Sequence, residues 1–108
     1  MNEHTIDVAR DFTHRPFGRY RSDGDRSGEV FREDILAPAL REHDHVTVDL
    51  GGTNLYGSSF LEEVFGGLVR EHFSRAELEQ KLTVLHDKLP SVVIEAERYI
   101  READKVSV

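Results

Sequence analysis

Two adjacent serines, Ser58 and Ser59, are the side chains in this sequence whose position is best suited to chemistry. They lie in the segment "YGSSFLEEVFGGLVR" (residues 56–70), between a predicted strand and a predicted apolar helix. A hydroxyl just before a helix faces unpaired amide groups and the positive end of the helix dipole, which favour an added phosphate. Both serines are therefore candidate phosphorylation sites. The plainer alternative is that they are turn and capping residues.

An arginine-rich segment between residues 10 and 26 is the second candidate. Five arginines against three aspartates make it net +2, whereas the whole chain has a net charge of -7. Arginine recognises carboxylates and phosphates through a planar fork of donors. The residues predicted to bind a partner or an anion are Arg19, Tyr20, Arg21, Arg26, Ser27 and, at the start of the apolar helix, Glu62. Alternatively, the segment is a solvated loop whose arginines pair with nearby aspartates.

Other kinds of chemistry find little support. The chain has no cysteine, which excludes disulfides, thiol catalysis and thiolate metal sites. His43 and His45 form the only tight histidine pair, and their spacing supplies no third or fourth metal ligand. There is no Walker loop, GxGxxG or GxSxG pattern. We therefore expect a protein that is not an enzyme and that uses no metal or cofactor, and the negative charge argues against nucleic-acid binding.

The elements that must position these residues alternate between strands and helices. Apolar alternation predicts strands at residues 5–12, 45–50 and 81–87, with a short edge strand near residues 18–21 inside a long loop. Helices are predicted after Ser27, at residues 59–72, after Ser74 and from Pro90. We expect Pro38 to kink or break the first of these helices.

Local signals also predict how two of these helices begin. Ser59 with Glu62, and Ser74 with Glu77, have the spacing of capping boxes. The diglycine Gly66–Gly67 interrupts an apolar helix, and we expect it to permit close approach to the sheet. Glu62 and Glu63 are interpreted as part of a solvated helix face, too acidic to favour a phosphate nearby.

Length and composition fit one α/β domain over residues 1–108. The expected architecture is a mainly parallel or mixed sheet of about four strands covered by helices. With 38% hydrophobic and 32% charged residues, the composition is that of a globular protein. No apolar run reaches the roughly 20 residues that span a bilayer, and the N-terminus does not resemble a signal peptide. We therefore expect a cytoplasmic protein without membrane contact.

The segment "VTVDLGGTNLYGSSFLEEVFGGLV" (residues 46–69) resembles the core of STAS domains, the fold of sulfate transporters and anti-sigma-factor antagonists. In those domains a valine-rich strand ending in Asp-Leu leads to a loop carrying Asp-Ser-Ser-Gly and then to an apolar helix. The longer pattern is similar to a STAS-like family of unknown function. Its features here are Gly18-Arg19-Tyr20, Ser27-Gly28-Glu29, Phe31-Arg32 and "SSFLEEVFGG".

The resemblance implies a regulatory domain that binds a protein partner. In the antagonists, the serine matching Ser58 is phosphorylated by a kinase of the histidine-kinase-like ATPase fold, and phosphorylation releases the partner. Here Gly57 replaces the aspartate of that pattern and Phe60 replaces its glycine. A domain that binds a small anion or nucleotide through the arginines of residues 15–26 is the alternative hypothesis.

Overall fold

The centre of the molecule is a parallel sheet, seen in a computed structural model that describes residues 2–55 and 57–106. Within that part of the chain the sheet has three strands: β1 (Glu3–Asp7), β2 (His45–Asp49) and β3 (Leu82–Leu85). They are adjacent in the order β1-β2-β3, and Thr5, Thr47 and Thr83 form one row across them. The predicted α/β class with a parallel sheet is confirmed.

The helices fall between and after the strands. Their bounds are α1 (Val8–Asp11), α2 (residues 28–42), α3 (residues 59–71), α4 (Arg75–Lys81) and α5 (Pro90–Val106). Helix α2 runs through a π turn at Arg32–Leu36, and α3 runs through another at Glu62–Gly66. None of the helices within the described ranges is both long and apolar enough to cross a bilayer.

The hydrophobic core lies between one face of the sheet and the helices. Side chains alternate between the two faces of a strand, so Val46 and Val48 are fully buried, whereas Thr5 on the opposite face is exposed. Helix α5 contributes residues at helical spacing, as predicted. The main buried side chains are Ile6, Val8, Phe31, Leu36, Leu40, Val46, Val48, Leu50, Val64, Phe65, Leu68 and Ala96.

The expected fourth strand is absent from the described part of the chain. Residues 18–21 form no ladder; Gly18 has a left-handed φ of 94° and a 3₁₀ turn follows at Arg21–Asp23. The carboxylate of Asp23 accepts hydrogen bonds from the backbone amides of Arg19 and Tyr20, at 3.1 and 2.9 Å. Because these amides already have an acceptor within the segment, they do not require hydrogen bonds to a neighbouring strand, and the segment remains a loop.

Several predicted boundaries of helices and strands are confirmed, and others differ from the prediction. The side chains of Ser27 and Ser74 cap α2 and α4, the second in a complete capping box with Glu77, and Pro90 is the first residue of α5. The first strand ends earlier than predicted, because the Asp7 carboxylate accepts from the Arg10 amide and starts α1. Pro38 does not break α2; the helix passes through the π turn just before it.

The diglycine serves a contact between helices, not the predicted contact with the sheet. A Cβ on Gly67 would lie 2.1 Å from Nη1 of Arg32, which projects from α2. On the other helix, a Cβ on Gly28 would lie 2.8 Å from the carbonyl oxygen of Phe60. Glycine at both positions lets α2 and α3 approach closely enough to enclose the guanidinium of Arg32 between them.

Candidate functional site

Ser58 and Ser59 are exposed at the start of α3, and neither caps it. Ser58 occupies the N-cap position without a capping hydrogen bond from its side chain, so the predicted Ser59–Glu62 capping box does not form. Helix α5 packs beside this end of α3, and the hydroxyl of its Tyr99 donates to the Glu95 carboxylate. Burial and this carboxylate together raise the pKa of Tyr99.

The loop before α2 (residues 13–27) is tied to its surroundings by backbone hydrogen bonds. The amide of Phe17 donates to the carbonyl of Arg26 at 3.1 Å. At the N-terminus of α2, the amides of Gly28 and Glu29 donate to the carbonyls of Gly18 and Arg19 at 3.0 and 2.9 Å. These bonds hold the middle of a long loop in one conformation.

This loop presents two aromatic side chains to solvent. Phe17 is 64% exposed and Tyr20 is 52% exposed. Tyr20 directly follows Arg19, whose side chain reaches the first turns of α3. Both aromatic residues therefore belong to the loop that Arg19 ties to α3. We call Phe17 and Tyr20 the aromatic pair.

Three arginines converge on two adjacent glutamates of α3. Arg19 donates to Glu62 and, at 3.1 Å, to Glu63. Arg70 donates to both carboxylate oxygens of Glu62, at 2.7 and 3.1 Å. Arg32 donates through Nη1 to Oε2 of Glu63 at 2.6 Å and to the Glu63 carbonyl at 2.7 Å. We call these five residues the arginine–glutamate network.

The burial of Arg32 and Glu63 shows that the solvated helix face expected for Glu63 is wrong. Arg32 and Glu63 are only 4% and 8% exposed. Burial lowers the pKa of Arg32, but its hydrogen bonds to Glu63 and Glu33 outweigh that effect and keep the pKa above its ordinary value. The hydrogen bond from Arg70, together with the one from Arg19, lowers the pKa of Glu62. Both glutamates are thus balanced by arginines and leave no uncompensated negative charge there.

The network continues along α2 to a histidine. Nε of Arg32 donates to Oε2 of Glu33 at 2.7 Å, and the same oxygen bonds Nε2 of His72. Nη2 of Arg41 lies 2.7 Å from Nδ1 of His72. Because arginine only donates, Nδ1 must accept and Nε2 must carry the proton.

The other predicted binding residues do not converge on a common ligand space. Arg21 pairs with Asp34 at 2.6 Å, and the guanidinium of Arg26 lies over the ring of Phe12, 5.5 Å from its centroid. Ser27 is fully buried as a cap. A polar cleft of about 390 Å³ lies beside the network, but glutamates balance its arginines; its walls are Arg21, Glu29, Arg32, Glu33, Glu71 and His72.

The histidine pair makes no metal site. Nδ1 of His43 bonds the side chain of Asn2, while Nε2 of His45 bonds Thr83 on β3. Across residues 2–55 and 57–106, no group of three or more histidine and acidic side chains is arranged to hold a metal ion.

Sequence reasoning missed the roles of Arg32, Arg70 and Glu63. Glu63 lies 31 residues from Arg32 and 44 from Arg19, and Arg70 lies 7 and 8 residues from the two glutamates, so no spacing of three or four indicates these pairs. The signal that could have found them is the set of family features. Gly18-Arg19-Tyr20, Ser27-Gly28-Glu29, Phe31-Arg32 and "SSFLEEVFGG" all meet at this one seam between the loop, α2 and α3.

Comparison with known protein families gives one match. The profile of a family described as a STAS-like domain of unknown function matches residues 27–91, which run from the cap of α2 to the start of α5. No curated protein and no solved structure matches the chain significantly. The matched region covers more than half of the 108 residues and contains the α2–α3 seam. The chain therefore belongs to the family of STAS-like domains of unknown function.

Proposed function

We propose that this protein is a non-catalytic regulatory module that binds a protein partner through the aromatic pair and the start of α3. The observation that carries the proposal is the exposure of Phe17 and Tyr20, at 64% and 52%, on a loop that is held in place. Aromatic residues and arginine are enriched in the energetic centres of protein interfaces. A fixed loop adds affinity, because little conformational entropy is lost when the partner binds.

Ser58 is the proposed point of regulation at the edge of this surface. Its hydroxyl is exposed and stands at the N-cap position of a 13-residue helix, where amides and the helix dipole favour a phosphate. The arginines of the network offset the charge of Glu62, which removes one source of repulsion. The proposed modifying enzyme, and partner, is a kinase of the histidine-kinase-like ATPase fold.

The test is recovery of a partner from the native host by the tagged wild type and four tagged variants. Tyr20→Ala should reduce recovery by about 30-fold, the effect of losing a hot spot worth about 2 kcal/mol. Ser58→Asp should also reduce it, through added charge at the interface, while Ser58→Ala should bind normally. Ile94→Ala is the matched control, because Ile94 is equally exposed, at 62%, but lies on α5.

Intact-mass spectrometry of protein from the host then tests the regulation. Phosphate on the wild type that Ser58→Ala abolishes would support it. Equal recovery of the same protein by all forms, with no phosphoserine, would contradict the proposed surface and the proposed switch together.

The alternative hypothesis, an anion or nucleotide site in residues 15–26, has less support. Arg19 and Arg21 already bond carboxylates, and an anion would have to displace them. Thermal-shift measurements with nucleotides and inorganic phosphate test it. A stabilisation that Arg19→Ala removes and Arg75→Ala does not would favour this alternative.

A further inference from the structure

The outer edge of β3 borders a groove of about 340 Å³ that has both apolar and charged walls. Leu82 and Val84 of β3 and Ile100 of α5 supply apolar walls, and Glu97 and Arg101 of α5 stand among its charged residues. The groove lies on the side of the molecule where the sheet ends, beyond the last strand. It is separate from the aromatic pair and from Ser58, none of which lines it.

The two edges of the sheet differ in how they are protected. Natural proteins discourage strand addition at an edge by placing charged side chains there. Strand β1 carries Glu3 and Asp7, whereas β3 reads Leu-Thr-Val-Leu and carries no charge. Its last residue, Leu85, is 47% exposed. Strand β3 is therefore the edge that is open to another strand.

The backbone of β3 also has groups directed to this edge. The amide of Leu50 donates to the carbonyl of Leu85, so Leu85 directs its peptide groups toward β2. Alternate residues of a strand bond to opposite neighbours. Val84 therefore directs both its amide and its carbonyl outward, away from β2.

We propose that a second copy of this chain adds its β3 strand, antiparallel, to this edge. A two-fold axis through Thr83 would pair Val84 of each copy with Leu82 of the other and join three strands from each copy into one sheet. The same axis brings the two grooves together, which covers their apolar walls. Closed two-fold symmetry is the commonest arrangement of homo-oligomers.

Charge complementarity identifies the occupant as a second copy. Glu97 and Arg101 lie one turn apart on α5, yet neither has an ion-pair partner in the described ranges of the chain, in contrast to the neighbouring Arg75 and Glu79, which pair at 3.0 Å. A two-fold axis reverses the order of charges across the interface. In the proposed dimer, Glu97 of each copy therefore faces Arg101 of the other copy, which gives two ion pairs.

The experiment is sedimentation equilibrium of the intact chain over a wide concentration range. The wild type should show a reversible dimer. Glu97→Arg and Arg101→Glu should each raise the dimer dissociation constant by about tenfold or more, because each creates two like-charge contacts. The double variant Glu97→Arg/Arg101→Glu should restore the wild-type constant, since it only exchanges the two charges.

Thr83→Lys and Thr5→Lys form a matched pair on one row of the sheet's open face. The first sets two ammonium groups against each other at the two-fold axis and should abolish the dimer. The second lies on the far edge and should leave it intact, and circular dichroism melts establish that both variants are folded. A monomer at every concentration overturns the proposal. A dimer that resists Thr83→Lys and both charge reversals overturns it as well.

Discussion

Arg32 is the residue on which the seam between α2 and α3 depends. Its guanidinium is almost fully buried and spans three hydrogen bonds, to the carboxylate of Glu33 and to both the side chain and the backbone of Glu63. A buried ion pair adds little stability over an apolar pair of the same shape, but removing one partner leaves the other charge buried and unpaired. The consequence of losing Arg32 should therefore exceed that of losing any exposed arginine.

Arg32→Met should lower the free energy of unfolding by about 3–5 kcal/mol. The double variant Arg32→Met/Glu63→Met should recover part of the loss, because it removes the buried carboxylate that has lost its shortest ion pair and keeps only the contacts to Arg19 and Arg70. Urea denaturation of the single and double variants measures both effects. The control is Arg75→Met, which breaks an exposed pair and should cost about 0–1 kcal/mol. An Arg32→Met variant as stable as this control would show that the guanidinium does not support the seam.

At the scale of the element, both central helices contain a π turn where they meet. The turn in α2 begins at Arg32, and the turn in α3 contains Glu63, the two residues that bond across the seam. Such turns are uncommon inside α-helices and occur often at functional sites. These turns lie next to the exposed start of α3. A change in the packing of α2 against α3 should therefore alter the shape of the proposed partner surface.

The two glycines of α3 should respond in opposite directions to substitution by alanine. In a helix this change normally stabilises by about 0.5–1 kcal/mol. Gly67→Ala should instead destabilise, because its Cβ would lie 2.1 Å from the buried Nη1 of Arg32. Gly66→Ala meets only the outer ends of Glu62 and Arg70, which have room to move. Thermal melts compare the two, and a gain in stability at both positions would contradict the close packing at Gly67.

For the whole molecule, the carboxylates of the seam link stability to pH. The pKa of Glu62 is lowered by its hydrogen bonds to Arg70 and Arg19. Burial raises the pKa of Glu33, but its hydrogen bonds to His72 and Arg32 outweigh burial and lower it overall. Between each lowered value and the ordinary value of 4.5, the unfolded chain binds more protons than the folded one.

The free energy of unfolding should accordingly be steady above the ordinary carboxyl pKa of 4.5 and fall as the pH drops through the lower folded values. Glu62→Gln should be less stable than the parent at pH 7, and the difference should narrow in acid. Glu102→Gln changes the same charge at an exposed site, 59% accessible, and serves as the control. Urea denaturation across this pH range provides the measurement. A constant difference between Glu62→Gln and the parent at all pH values would contradict the linkage.

Features that depend on neighbours in the chain could be predicted from the sequence. Strand β2, with Val46 and Val48 buried, is defined by its period of two, and the Ser74–Glu77 box by a spacing of three. Pro90 begins α5 because its fixed φ suits the first helical turn. In each case, the residues that decide the structure lie within a few positions of one another.

The candidate site could be located from the sequence only in part. Ser58, Arg19, Tyr20 and Glu62 were named as candidates, but the capping role predicted for Ser59 and the solvated face predicted for Glu63 are wrong. Ser59 and Glu62 have the spacing of a capping box, yet Glu62 gains more from two arginines that arrive from elsewhere in the chain. The energy of a charge depends on its burial and its partners, and both are set by the packing of distant segments.

The sequence by itself therefore determined the order of the elements, the apolar face of each and the family to which the chain belongs. Only the tertiary structure decided the number of strands, the purpose of the diglycine and the pairing of the arginines. The physical reason is distance along the chain: Arg32 and Glu63 are 31 residues apart, and only the packing of α2 against α3 brings them together. That same packing buries the Glu63 carboxylate between two helices, where spacing alone suggests a solvated face.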